Sequence, residues 1–239
     1  MRPFKIALVY YDAPEVPGWI KKGFSEEGIE LAIKQCTTRE EVILTAHDAH
    51  AVWVFGGGRV LTADCLIDLP HCGLILRSGS GTDNIPVQES TRLGIIVANT
   101  PQATCEAVSD HAIALLLSVA RWICCQNQKV KEGIWEFRAT PPPVRLHRKV
   151  LGLIGFGYTA REVAIKMRGF SPRIIAYDPF VNSEIMEDYE VLKSGLDDLL
   201  RESDFVSLHC PLTKETFHLI SERELRLMKP TSILVNNSR

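Results

Sequence analysis

The sequence predicts an α/β protein built as two successive, doubly wound parallel sheets. Three observations carry this. Short β-branched runs alternate with helical stretches, which implies parallel strands joined by right-handed crossovers. The alternation pauses near Asn99 and restarts at Lys149, with proline-bearing connections between: Asn99-Thr100-Pro101, and a segment holding Pro141, Pro142 and Pro143. A glycine-rich turn, Gly155-Phe156-Gly157, follows the first strand of the second series.

In the first series, strands are expected over 5–10, 29–34, 51–55, 74–77 and 95–98. Five such strands suit a flavodoxin-like layer of helix, sheet and helix. Thr38-x-x-Glu41 is a capping box that opens the helix between the second and third strands. Asn99-Thr100-Pro101 reads as a hinge, because the residue before proline avoids helical backbone. From Thr104, Val108, Ala112, Leu115, Leu116, Val119 and Ile123 recur at steps of three and four, the stripe of one long helix over 104–123. That stripe suits either a core element or a subunit interface.

In the second series, strands are expected over 149–154, 173–177, weakly near 190–192, then 204–208 and 232–236. Ser221-x-x-Glu224 is a second capping box, opening a helix that ends near Lys229-Pro230. No helix follows the last strand. A parallel sheet needs both faces covered, so the chain is expected to be a fragment whose nucleotide-binding sheet is incomplete.

Composition narrows the function classes. The 239 residues are 46% hydrophobic and 23% charged, as in a globular protein, which excludes a disordered chain. Lysine plus arginine is 27 against 29 acidic residues, so no global charge draws the chain to nucleic acid or an anionic membrane. No apolar run approaches the length of a membrane span, and the run after Lys5 lacks a signal-peptide cleavage site. Seven cysteines, with no C-x-x-C pair, disfavour a disulfide framework or zinc ribbon and favour a reducing, cytoplasmic setting. His47 and His50 have no third ligand in sight, and no metal is expected.

Four segments carry the chemistry. The strongest is Gly155-Phe156-Gly157-Tyr158-Thr159-Ala160, after the apolar strand Val150-Leu151-Gly152-Leu153-Ile154 and before an apolar helix. Gly155 permits the tight turn, Gly157 admits a pyrophosphate to the backbone, and Ala160 lets helix and strand pack closely. The helix N-terminus faces the phosphates with partial positive charge. Asp178, eighteen residues past Ala160, closes the next strand and is placed to accept from ribose hydroxyls. Its charge repels a 2′-phosphate, and Pro179 and Phe180 add no cation, so NAD is expected over NADP. The alternative is a tight strand-to-helix turn that binds nothing.

The second segment is Arg77-Ser78-Gly79-Ser80-Gly81-Thr82-Asp83-Asn84. Its glycines allow a backbone nest for an anion, with Arg77 as a carboxylate clamp; an Asp-Asn turn fits as well. The third is Leu208-His209-Cys210-Pro211-Leu212-Thr213, a loop at the carboxyl edge of the sheet, where ligands bind in such folds. His209 invites reading as a general base, but a structural histidine suits the sequence better. Cys210 has no base at a readable spacing. The fourth is Asn236-Asn237-Ser238-Arg239, whose arginine is either a substrate-carboxylate ligand or a solvated residue.

In this order the four segments resemble the D-isomer-specific 2-hydroxyacid dehydrogenases, the family of phosphoglycerate dehydrogenase and the C-terminal-binding-protein corepressors. The resemblance implies a substrate domain over 1–99 and a Rossmann-type NAD-binding domain over 100–239, with the active site in the cleft. It implies hydride transfer between NAD(H) and a 2-hydroxy or 2-keto acid. The family's catalytic arginine falls on Arg239, its substrate-anchoring loop on Arg77, Gly79 and Ser80. Its cofactor contacts fall on Ser80, Tyr158, Thr159, Asp178, Cys210, Pro211 and Asn237, beside Gly155 and Gly157. His209 matches a position in the cofactor loop, not the catalytic histidine. The family's acid/base histidine and its glutamate partner have no counterpart in these residues, so turnover by this chain is expected to be feeble. A homodimer through the 104–123 helix and the NAD-binding domain is expected. The competing reading is a non-catalytic, NAD-responsive dimeric scaffold like the corepressors.

Overall fold

A computed structural model describes residues 3–10, 16–136 and 141–238. The chain divides into two compact units, Met1–Thr104 and Cys105–Arg239. The division falls five residues beyond the boundary expected from Asn99-Thr100-Pro101, because Thr100 belongs to the first unit: its hydroxyl accepts the Gly79 N–H at 2.8 Å.

The first unit runs β1 (Lys5–Tyr10), α1 (Gly18–Glu26), β2 (Glu30–Gln35), α2 (Arg39–Ala46), β3 (Ala51–Phe55), a 3-10 turn (Ala63–Asp68), β4 (Leu74–Arg77), α3 (Val87–Arg92) and β5 (Ile96–Asn99). All pairings are parallel and the order is β2-β1-β3-β4-β5, the flavodoxin arrangement. β2 and β5 each start one residue later than the sequence suggests. The Thr38–Glu41 capping box forms: the Glu41 N–H reaches the Thr38 hydroxyl at 3.3 Å, and the Glu41 carboxylate accepts the N–H groups of Thr37 and Thr38. His47 and His50 serve as hydrogen-bond partners, His47 Nδ1 at 2.9 Å from the Asp68 carbonyl and His50 Nδ1 accepting the Lys5 N–H at 3.0 Å.

The second unit runs α4 (Cys105–Ala120), α5 (Ile123–Lys131), β6 (Val150–Ile154), α6 (Tyr158–Met167), β7 (Arg173–Tyr177), α7 (Ser183–Glu187), β8 (Leu192–Lys193), α8 (Leu196–Glu202), β9 (Phe205–Leu208), α9 (Glu222–Leu227) and β10 (Ile233–Asn236). The sheet is parallel with order β10-β9-β6-β7-β8. The two-residue alternation of strand side chains divides its apolar residues between two cores. Leu151, Leu153, Ile174, Ala176, Phe205 and Val235 meet α4 and α6 on one face. Ile154, Ile175 and Val206 meet α8 on the other. In the Ser221–Glu224 box, the carboxylate accepts the Ser221 N–H at 3.0 Å and the Ser221 hydroxyl.

The helix expected over 104–123 is not continuous. α4 ends at Ala120, Trp122 adopts a left-handed φ of 57°, and α5 departs at a 62° bend. The Ala120 carbonyl, which would continue the helical ladder, accepts the Val144 N–H instead at 2.9 Å. The buried stripe is Ser109, Ala112, Leu116 and Ala120. Small side chains let α4 lie close to α6 and β10, while Val119 and Ile123 stay half exposed. No single helix among the described residues is long and apolar enough to cross a membrane.

Candidate functional site: a dinucleotide crevice at the strand switch point

In an open parallel sheet, ligands bind outside the carboxyl ends of the strands where the strand order reverses. In the second unit that point lies between β6 and β9, since the chain leaves β6 toward β7 on one side and returns to β9 on the other. The glycine-rich turn after β6, Asp178 after β7 and His209-Cys210 after β9 are therefore brought together. Their contacts confirm it.

Gly155 has φ +85°, a conformation that L side chains rarely adopt. A Cβ there would stand 2.9 Å from the Cys210 nitrogen and 3.0 Å from the His209 carbonyl carbon. Gly155 thus does more than make the tight turn: it lets the loop after β9 lie directly on the turn. Gly157 differs. It precedes α6 with φ −78°, and a Cβ there would meet nothing within 4 Å. The open space at Gly157 lies at the N-terminus of α6, where unpaired N–H groups and the helix dipole favour an anion. A pyrophosphate fits this cradle. Tyr158 and Thr159 form the first turn beside it, Tyr158 exposed and Thr159 half-buried, while Ala160 is fully buried against the strand layer.

Asp178 locks the turn from the next strand. Its Oδ2 accepts the Phe156 N–H at 2.8 Å and its Oδ1 the Phe180 N–H at 2.8 Å. A carboxylate offers about four lone-pair sites, so each oxygen keeps capacity for a ribose hydroxyl.

The loop after β9 supplies the other wall. The His209 N–H donates to the Ile154 carbonyl at 2.7 Å. Its Nε2 is buried without a partner among the described residues, and burial pushes the imidazole down to about 4. This histidine is neutral near pH 7 and serves the loop structurally. Burial also pushes the half-buried Cys210 thiol up, opposed by its own backbone N–H, so it is no ready nucleophile. Pro211 is exposed at the turn. Asn237 spends its Nδ2 on the Val108 carbonyl at 3.1 Å, tying the end of β10 to α4, and its buried Oδ1 has no partner among the described residues. Arg239 lies outside the described residues.

In the first unit, Arg77 is 6% exposed. Its Nε donates to Asn84 Oδ1 at 3.1 Å, and its guanidinium packs under Gly79, 3.3 Å from where a Cβ would be. Asn84 in turn donates to the Gly58 carbonyl at 3.0 Å. Arg77 supports the loop from beneath. Gly79, at φ +105°, gives its N–H to Thr100, and the Asn99 amide donates to the Ser80 carbonyl at 2.7 Å. The N–H groups of Ser80 and Gly81 have no acceptor among the described residues. Adjacent N–H donors after a strand are suited to an anion. The parts played by Asn84, Asn99 and Thr100 are not legible as site features, since each acts across the fold.

Fold and crevice define the class: a parallel α/β protein with a dinucleotide-binding unit. The chain belongs to the D-isomer-specific 2-hydroxyacid dehydrogenase family, whose NAD-binding domain matches residues 113–239. It is 41% identical over 182 residues to a glyoxylate reductase of Thermococcus litoralis, covering 74% of this chain and 55% of that protein. It is 35% identical over 215 residues to a D-3-phosphoglycerate dehydrogenase of Methanocaldococcus jannaschii, covering 90% and 41%. The structure of an Aquifex aeolicus D-lactate dehydrogenase complexed with NAD and lactic acid superposes with a TM-score of 0.83 at 29% identity, over 98% of this chain and 69% of that one. The chain spans about half the length of the curated relatives it matches.

Proposed function

We propose that this chain binds NAD(H) in preference to NADP(H) and acts on a small 2-keto or 2-hydroxy acid. The observation that carries the reading is the pair Gly157 and Asp178: an open cradle at a helix N-terminus, beside a carboxylate fixed by two backbone N–H groups with capacity to spare. Gly155 and Cys210 hold the walls together. Tyr158, Thr159, Pro211 and Asn237 line the remaining contacts, and Ser80 is carried over as a cofactor contact by the family resemblance. The fixed negative charge of Asp178 disfavours a 2′-phosphate.

When bound, NAD supplies or accepts the hydride. This chain's own residues bind and orient the reactants. The N–H groups of Ser80 and Gly81 take a substrate carboxylate, on a loop that Arg77, Gly79 and Asn84 stiffen. Arg239 binds the carboxylate and carbonyl oxygens and stabilises charge as it develops. A homodimer through the 104–123 helix and the NAD-binding domain accords with the half-exposed Val119 and Ile123, and a cytoplasmic setting with seven cysteines and no C-x-x-C pair.

The test is a titration with NADH and NADPH, followed by turnover with glyoxylate, pyruvate and hydroxypyruvate. Saturable NADH binding at least about tenfold tighter than NADPH is expected, with oxidation of NADH by one of these 2-keto acids. No NADH binding by the folded chain would overturn the reading. Binding without turnover, joined to NAD-dependent dimerisation, would favour the scaffold role instead.

A further inference from the structure

We infer that Arg161 is a positioning residue for the dinucleotide crevice, setting the orientation of the peptide between the two glycines; this rests on the reading of the crevice as an NAD site. Arg161 lies in the first half of α6. Its Nε donates to the Phe156 carbonyl at 3.2 Å. Its guanidinium carbon stands 5.8 Å from the centroid of the Phe156 ring and 5.6 Å from that of Tyr189. Those two rings meet edge to face, centroids 5.7 Å apart at 84°. No carboxylate among the described residues pairs with Arg161.

The consequence follows residue by residue. Phe156 is the one residue between Gly155 and Gly157, and both its flanks are glycine, the most permissive residue type. Its N–H is held by Asp178 and its carbonyl by Arg161, so both peptide planes around it are fixed from opposite sides. Its buried ring anchors the third point. Without Arg161 the Phe156 carbonyl is free to turn. The peptide linking Phe156 to Gly157 then loses the orientation that leaves the cradle open. The guanidinium is kept in place by the two rings, a geometry that attracts it.

The experiment uses the full chain with Arg161→Met, Arg161→Gln and Arg161→Lys, measuring NADH affinity by fluorescence and the melting temperature without ligand. Arg161→Met removes the donor and the charge and keeps the apolar stem; a loss of NADH affinity of about tenfold or more is expected, with the ligand-free melting temperature nearly unmoved. Arg161→Lys restores affinity to within about threefold of wild type, because its ammonium still donates to the Phe156 carbonyl from beside the rings. A Met variant that binds NADH within twofold of wild type overturns the inference, as does an affinity loss matched by an equal loss of folded protein. Should Arg161→Met fail to fold, Arg161→Gln decides: threefold or greater weakening in folded protein supports the role, and unchanged affinity overturns it. A folded wild-type chain that binds no NADH instead overturns the reading of the crevice itself.

Discussion

Two glycines of one motif are expected to fail in opposite ways when each is replaced by alanine. At Gly155, φ +85° carries a cost of about 1–2 kcal/mol for an L side chain. The added methyl also meets backbone at 2.9–3.1 Å on three atoms of His209 and Cys210. Backbone cannot step aside as a flexible side chain does, and overpacking of this kind costs about 1–3 kcal/mol more. Gly155→Ala should therefore destabilise the second unit by roughly 2–5 kcal/mol, on the order of 10 °C in melting temperature. At Gly157, φ is −78° and the methyl meets nothing. Gly157→Ala should leave stability unchanged or raise it by up to about 1 kcal/mol, through lower entropy of the unfolded chain. Its methyl instead fills the cradle, weakening NADH by at least about tenfold. Urea denaturation and NADH fluorescence read the two effects separately. Equal destabilisation by both substitutions, or an unaltered NADH affinity in Gly157→Ala, would refute the division of labour.

Asp178→Ala removes the ribose acceptors and the charge that opposes a 2′-phosphate; the ratio of NADPH to NADH dissociation constants should fall at least about tenfold, and an unchanged ratio would count against Asp178 as the discriminating residue. Gly152→Ala places a methyl 2.3 Å from Ser203 Oγ and 2.6 Å from Leu199 Cδ2; a loss of about 1–3 kcal/mol in urea titration is expected, and a neutral substitution would show that α8 gives way. His209 has its folded pKa lowered to about 4 by burial against 6.5 unfolded, so the unfolded chain binds the extra proton between those values. Stability should fall as pH drops from 6.5 to 4, by up to roughly 3 kcal/mol, and His209→Leu should flatten that part of the profile. Asp204, whose half-buried carboxylate is held below its usual range, against the opposing effect of burial, by the Val150 N–H and by Lys229 and Lys149, acts lower: its contribution is present above the unfolded carboxylate pKa and lost as pH falls through the depressed folded value.

The sequence by itself determined the two parallel layers, each strand to within about two residues at its start, both acid-residue capping boxes and the pairing of a glycine-rich turn with Asp178. These are legible because they depend on near neighbours: strand alternation, i to i+3 capping and turn chemistry repeat over a few residues. Tertiary structure decided the rest. α4 stops at Ala120 because a carbonyl there is claimed by Val144, twenty-four residues on. Gly155 must be glycine because Cys210 lies against it, Gly152 because Leu199 and Ser203 do, and Arg77 lies beneath its loop because Asn84 turns it there. Arg161 becomes part of the crevice only once Tyr189 is folded over it. In each case the deciding partner is remote in sequence, and the burial or close approach that selects the residue exists only after the sheet has assembled.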